Sequence, residues 1–503
     1  MSKQKNSMNN LIWGIVGNII TSAVAIIIPR LFIVNYGSEV NGLLSSIRQI
    51  YVYLALLEVG VGTASEVALY GPIGKGDHAS ANRILAATDR YYKKIGFLYA
   101  VCVVILGFVY PLLLDTTIPH ITCCLIIILQ GSGSVISYLV QGKYNMLLRV
   151  DNRNYVTTNL TTVTTVLTDI TRIILLMNGK NIVAVQTTYL VFNFVKMIYV
   201  SWYIKRHYKW LDLSVEPNYQ AIAQRGAVFV HQISSLVFSH TDVLILTFVC
   251  GLKTVSIYSM YATTYGMVDN IITITSNSVQ SALGQIYNTD RKKYIELHEA
   301  FETYYLALVF ALLAIATIFI LPFMRLYTAG ADINYIDWKL PVLFGAYQLL
   351  SYGRVPSNMI IGFAGKFKAT QWRACLEAVI NLVVSLVCVF QFGIYGVLFG
   401  TIVALIYRAN DMILFANHHV LNRSAFPTYR KWGINVMLFA LIVVGFFKLP
   451  LRLDSYGRLI INAIWISLFI LLIFFFVDSL IEKNARKTAW RYLKSSIKTI
   501  LCR

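Results

Sequence analysis

Apolar and polar positions alternate along this chain on a length scale that suits a bilayer better than a soluble core. Apolar stretches fall near 11–34, 43–68, 95–114, 118–142, 155–178, 182–204, 226–250, 257–284, 303–323, 341–364, 371–391, 394–417, 432–449 and 457–481. Each is of the order of the roughly 20 residues that a helix needs to cross about 30 Å of hydrocarbon. The pattern predicts an all-α polytopic membrane protein of about fourteen transmembrane helices with almost no water-soluble domain. The Thr-rich stretch 155–178 and the Ser/Asn/Thr-rich stretch 257–284 are the weakest by hydropathy. The first run, Leu11 to Ile28, is too long for a signal-peptide core and continues through Pro29-Arg30-Leu31 into more apolar sequence. It is therefore expected to stay as the first span, uncleaved.

The connections test this count. If the chain starts inside with Lys3 and Lys5, alternate connections and the tail carry about thirty Lys and Arg. The opposite connections carry seven: Lys180, Lys253, Arg325, Lys339, Lys448, Arg452 and Arg458. That asymmetry places both termini in the cytoplasm, and dropping one helix would break it.

Composition agrees. The 503 residues are 57% hydrophobic and 13% charged, with a mean hydropathy of +0.63, too little charge to clothe a soluble protein of this size. A net charge of +20 would suggest nucleic acid in a soluble protein. Here the cations cluster between apolar runs, so no nucleic-acid partner is expected. The seven cysteines show no CxxC or other ligand spacing, so neither disulfides nor a metal are indicated.

Three inner stretches, 77–94, 285–302 and 482–503, could form surface helices. In the last, Trp490, Leu493, Ile497, Ile500 and Leu501 share a face opposite Arg486, Lys487, Arg491 and Lys494. That fits a basic amphipathic helix on an anionic leaflet, or equally a solvated tail. The chain also looks duplicated: Arg30-Leu-Phe-Ile-Val-Asn-Tyr-Gly37 and Leu244-Ile-Leu-Thr-Phe-Val-Cys-Gly251 end the first and seventh spans alike, each before a short outward turn. The expected organisation is an N-lobe at 1–210 (helices 1–6), a C-lobe at 211–420 (helices 7–12), two extra helices at 421–481 and the basic cytoplasmic tail at 482–503.

Ionisable groups at membrane depth are costly and by default line a cavity or pair with one another. Arg48, Tyr51, Ala55, Glu58, Gly62 and Glu66 follow the i+3/i+4 spacing and fall within one narrow stripe of the second span, which should not face lipid. The fifth span presents Thr158, Thr161, Thr165, Thr168 and Arg172, with Asp169 one turn away. The seventh offers His231, Ser235 and Asp242, with His240 nearby; the eighth offers Asp269, Asn270, Thr273, Ser276 and Asn277. By helical rise, Arg30, Arg48 and Arg172 lie toward the outer side, Arg354 near the middle, and Lys196 and Arg408 toward the inner side. Such a ladder of cations would compensate an anionic headgroup in transit. Asp169/Arg172 and Arg408/Asp411 could instead simply neutralise each other. Arg354, with no carboxylate nearby in sequence, is expected to be the hardest cation to replace. The two histidines either take part in proton coupling or are satisfied by neighbouring hydroxyls. No nucleotide-binding loop or HExxH motif is present, and no long outward loop presents acid/base residues, so the chain is not expected to be an enzyme.

Several segments resemble the bacterial polysaccharide flippases of the multidrug/oligosaccharidyl-lipid/polysaccharide superfamily. They are Pro29-Arg30 followed by Gly37-Ser-Glu-Val-Asn-Gly42-Leu, Tyr53-Leu-Ala-Leu-Leu-Glu58-Val-Gly60-Val-Gly62-Thr-Ala64, Leu69-Tyr70-Gly-Pro72-Ile, Tyr91-Tyr92-Lys93-Lys94-Ile-Gly96, and Phe392-Gly393-Ile-Tyr-Gly396-Val-Leu-Phe-Gly400-Thr401. The two extra helices are similar to those of the lipid-II flippase branch. The resemblance implies two V-shaped six-helix lobes, alternating access and an undecaprenyl-pyrophosphate-linked oligosaccharide as cargo. It also implies a place in the bacterial cytoplasmic membrane, in capsule, exopolysaccharide or lipopolysaccharide synthesis. On this reading Arg30, Arg48, Arg172, Lys196, Arg354 and Arg408 receive the pyrophosphate. Glu58, Glu66, Asp169, His231, His240, Asp242 and Asp269 supply cavity polarity or ion coupling. No cofactor is expected, and a coupling ion, H+ or Na+, is left open. The partners would be lipid-linked oligosaccharide, membrane lipids, and a polymerase and glycosyltransferases. The nearest rival is a multidrug/cation antiporter of the same superfamily, kept alive by the carboxylates. A membrane-embedded polymerase or ligase is the more distant one.

Overall fold

Runs of bilayer length, punctuated by glycine, dictate helices that turn back sharply. The computed structural model describes residues 17, 21, 26–58, 61–222, 226–448 and 453–501, and among them there is no strand. Helix α1 (Ile26–Tyr36) is the described part of the first span; the rest of that predicted stretch lies outside the described residues. The second span is α2 (Ser38–Leu54), a 3-10 turn (Ala55–Glu58) and α3 (Val61–Lys75). Then follow α4 (His78–Val109), α5 (His120–Ile136), α6 (Gly142–Val150), α7 (Asn154–Met177) and α8 (Ile182–His207). Helix α9 (Gly226–Thr289) is two arms meeting at Gly251. The series continues with α10 (Arg291–Tyr327), α11 (Lys339–Gly353), α12 (Val355–Phe363), α13 (Phe367–Phe392), α14 (Ile394–Phe415), α15 (Phe426–Phe447), α16 (Tyr456–Ile481) and α17 (Lys483–Leu501).

Eleven of the described helices are long and apolar enough to cross a membrane. That tally takes Leu236–Thr289 once although Gly251 divides it, and passes over α11–α12, which Arg354 divides. Large apolar side chains such as Phe97, Phe108, Ile198, Phe390, Ile464 and Trp465 face outward, as lipid solvation requires. The protein is an all-helical, multi-pass membrane protein.

The repeat glycines adopt matching geometry. Gly37 (φ 84, ψ 170) and Gly251 (φ 79, ψ 169) turn the chain through a conformation essentially restricted to glycine. Asp77 and Asp290 then cap α4 and α10 alike, each accepting a backbone N–H three residues on, at 3.0 Å. The Ser80 hydrogen bonds hold the exposed Asp77 carboxyl below its ordinary range.

By internal contacts the chain forms two units, Met1–Ser256 with Gly330–Ile333, and Ile257–Ala329 with Asn334–Arg503. The first arm of α9 therefore belongs with the first unit, whereas the repeat alone places it at the head of the second lobe. Polar contacts hold it there: Tyr53 to Thr241 (2.5 Å), Ser46 to Thr247 (2.7 Å) and Asn41 to Ser256 (2.8 Å). A side chain at Gly42 would strike the Leu252 carbonyl, so only glycine permits that approach.

Stretches 77–94 and 285–302 are not separate surface helices. The first is the opening turns of α4, the second the last turn of α9 and the opening turns of α10, and they bury Ile84, Leu85, Asp89 and Tyr92, and Tyr294, His298 and Glu302, respectively. The stretch 482–503 does form its own helix, α17, which packs on α10 and α16 with Ala485 and Thr488 buried and Trp490 exposed.

Connections assigned to one membrane face meet one another. In the first unit Tyr36 donates to the Lys180 carbonyl, Ser38 N–H donates to Asp332 (2.9 Å), and Thr117 N–H donates to Glu39 (3.0 Å). On the other face Asn82 reaches the Trp210 carbonyl (2.9 Å), Asn218 N–H the Arg83 carbonyl (3.0 Å), and Tyr208 reaches Asp151 (2.6 Å). A miscounted span would set these partners on opposite faces. Single cysteines at Ser80 and Ser214, in a cysteine-free background, are expected to be labelled from one side of intact cells. Those at Asp115 and Asn334 should be labelled only from the other; labelling of Ser80 and Asp115 from the same side would break the alternation.

Candidate functional site

Three cavities follow one another through shared lining residues in the first unit, the second and third opening along the polar face of α7. The first, about 230 Å³, is lined by Glu58, Gly62, Glu66, Tyr92, Ser137, Tyr138, Gly142, Asn145, Met146 and Arg149. The second, about 320 Å³, shares Asn145 and Arg149 and adds Gly17, Thr21, Thr157, Thr158, Thr161, Thr162 and Lys196. The third, about 200 Å³, shares Thr161 and Lys196 and runs on to Thr164, Thr165, Thr168, Asp169, Arg172, Tyr189, Phe192 and Asn193. Thr157 to Arg172 spans roughly 22 Å at 1.5 Å per residue, so the trench follows much of the membrane depth. Apolar clusters close the unit at both ends, around Leu85, Leu147 and Ile204, and around Leu43, Ile126 and Val185.

Charge is graded along this trench. At one end Glu58 accepts the Tyr92 hydroxyl and Glu66 pairs with Arg149 at 2.5 Å. At the other, Arg172 donates to Gln186 (2.9 Å), lies 3.8 Å from Asp169 and sits 5.7 Å over the Tyr189 ring. Lys196, half-buried between them, has no carboxylate partner among the described residues. The second and third cavities together are thus lined by Arg149, Lys196 and Arg172 against Asp169 alone. The threonine hydroxyls spend their protons on backbone: Thr161 on Thr157 O (2.7 Å), Thr162 on Thr158 O (3.0 Å), Thr164 on Leu160 O (2.8 Å) and Thr168 on Thr164 O (2.6 Å). What they offer a ligand is acceptor oxygen.

The remaining predicted residues lie elsewhere. Arg48 is exposed on α2 and lines none of these three cavities. The continuous stripe of the second span is corrected: the 3-10 turn at Ala55–Glu58 interrupts the 3.6-residue period, so Glu58, Gly62 and Glu66 stay together while Arg48 and Tyr51 do not join them. Arg30 is half-buried near the end of α1, and Asp242 is buried on α9. His240 contacts Gln49 at 2.6 Å; the side chain of His231 lies outside the described residues. In the second unit Gln348 donates to Asp269 at 3.0 Å.

Arg354 is not an isolated cation. It pairs with Glu377 at 2.5 Å, and Glu377 also meets Arg408 at 3.3 Å. Arg408 binds Asp411 at 2.7 Å, and Asp411 binds Arg373 at 2.5 Å. Three guanidinium groups thus alternate with two carboxylates, so each of these cations has a carboxylate counter-charge within the second unit. Sequence reasoning also missed two features. Arg149 lies beyond the apolar stretch 118–142, where a connection is expected, but it lines the trench. Lys431 and Glu302 form a fully buried pair at 2.7 Å on α15 and α10.

No protein-family model matches the sequence, and no curated protein matches it. Solved structures do. The lipid II flippase MurJ in an inward-closed conformation aligns over 94% of this chain and 99% of its own, at 13% identity with a TM-score of 0.70. The chain has the MurJ and MATE fold. An inward-facing multidrug resistance MATE transporter of the MOP superfamily aligns over 84% of this chain and 94% of its own, at 12% identity and TM-score 0.61. A MOP superfamily transporter from Pyrococcus furiosus, whose binding pocket is described as reversed in polarity, aligns over 88% and 97%, at 13% identity and TM-score 0.54. The MurJ and MATE fold is thus common to flippases and drug transporters, and the trench chemistry has to discriminate between them.

Proposed function

We propose that the chain is a flippase that moves an undecaprenyl-pyrophosphate-linked oligosaccharide across a bacterial cytoplasmic membrane by alternating access, for surface polysaccharide synthesis, with both termini cytoplasmic. The observation that carries this reading is Lys196: a half-buried ammonium without a carboxylate partner among the described residues, sharing a cavity wall with Arg172. An unpaired cation at membrane depth repels a cationic drug and is relieved by an anionic headgroup. The acceptor oxygens of α7 suit the hydroxyl donors of sugar, and the polyprenyl tail would remain in lipid. The MurJ likeness supports this reading through the fold alone.

Glu58 favours the rival. It has no cationic partner among the described residues and would suit an organic cation or a coupling ion. Depleting the protein in its native host separates the two. The flippase reading expects surface polysaccharide to fall while lipid-linked precursor accumulates on the cytoplasmic leaflet, with normal sensitivity to cationic drugs. Raised drug sensitivity with normal surface polysaccharide would establish the antiporter instead.

A further inference from the structure

We infer that the cavity around Glu58 is a monosaccharide subsite, reading the sugar that is attached to the pyrophosphate. This rests on the flippase reading and adds which wall of the trench recognises sugar. Three observations carry it. The cavity, about 230 Å³, is of the size of one pyranose ring with a little water. Its polar wall has acceptors to spare: Glu58, a carboxylate with about four acceptor sites, is met only by the phenols of Tyr92 and Tyr138 among the described residues, and the Asn145 side-chain oxygen is buried with no hydrogen-bond partner among them. A buried acceptor without a donor is costly, and a ligand hydroxyl supplies the donor.

The third observation is an aromatic wall on a re-aimed backbone. Tyr138 stacks on Tyr92 at 6.2 Å and 20°, and meets Tyr99 edge-on at 5.2 Å. It stands in a π turn, Ser137–Gln141, that breaks the ladder between α5 and α6. Such turns interrupt regular helix where a side chain has to be redirected. Carboxylate, amide and aromatic face together form a surface for a donor-rich ring with apolar C–H edges. A small cation fits less well, because Arg149 is held at the same wall through Glu66 and brings positive charge to it. Asn145 also lines the Lys196 cavity, so a sugar here is directly joined to a pyrophosphate there.

The test uses the purified full-length protein and two probes: undecaprenyl pyrophosphate alone, and the same carrier bearing one hexose. Wild type is expected to bind the sugar-bearing carrier more tightly. Glu58→Ala and Tyr138→Ala should each weaken that binding by about tenfold or more, leaving the bare carrier unchanged; Tyr138→Phe, which keeps the ring, should retain most of it. Equal losses for both probes, or no loss for either, would overturn the subsite while leaving the flippase reading in place. Failure of wild type to bind either probe would overturn both.

Discussion

Replacing Lys196 with methionine is expected to abolish translocation while leaving the protein at least as stable as the wild type. A half-buried ammonium without a carboxylate partner among the described residues destabilises the folded chain by desolvation, so an apolar side chain of similar length relieves that cost. The same substitution leaves the pyrophosphate only Arg149 and Arg172 along the two cavities, each already facing a carboxylate, Glu66 and Asp169 respectively. Losing one charge partner in a low-dielectric setting costs about 3 kcal/mol or more, roughly a hundredfold in rate. Lys196→Arg should keep part of the activity because the charge survives. Surface polysaccharide in a strain carrying only the variant, set against its amount in the membrane and its thermal midpoint in detergent, measures both effects. A residue whose loss stabilises the protein yet removes function marks a binding site rather than a structural pair. Loss of stability with normal export would assign Lys196 a structural role.

The second large effect belongs to the buried pair that fastens α15 to α10. Lys431 and Glu302 have side chains only 3% and 2% exposed. Thr428 also donates to Glu302 (2.9 Å), and Lys431 reaches the Glu299 carbonyl (3.3 Å). Lys431→Met is expected to destabilise the protein by about 3–5 kcal/mol, because Glu302 is left as a buried charge with only Arg423, 4.0 Å away, to compensate it. The double variant Glu302→Gln/Lys431→Met should recover most of that loss, since the uncompensated charge is gone. Trp432 stands next to this pair, with its ring edge-on to Phe310 at 5.6 Å, so its fluorescence reports the undocking of α15. A single variant as stable as wild type would show that the pair contributes nothing to docking.

Much of the fold was legible because the bilayer imposes one length on every span and the repeat glycines impose one turn. Gly37 and Gly251 could be matched by eye, and their backbone angles agree to within a few degrees. The breaks were harder to read. Nothing in the hydropathy of the second span announces the 3-10 turn at Ala55–Glu58, and without it Arg48 and Glu58 fall on one stripe. The pairs were not legible at all. Arg354 looked isolated because Glu377 lies on another helix, and Lys431 is 129 positions from Glu302. Arg149 falls between the apolar stretches 118–142 and 155–178, where hydropathy alone expects a connection, yet it stands in the last turn of α6 lining the trench. Arg354→Ala is accordingly expected to act first on the stability of the second unit, through the Glu377–Arg408–Asp411 network, rather than on cargo.

The most direct measurement is translocation in proteoliposomes that contain only the purified full-length protein. Undecaprenyl-pyrophosphate-linked oligosaccharide is placed in one leaflet and its appearance in the other is followed, beside uptake of an organic cation. The account predicts that the lipid-linked sugar crosses, that Lys196→Met stops it, and that the organic cation is not moved. Transport of the organic cation that is abolished by Glu58→Gln, with the lipid-linked sugar left where it began, would contradict it.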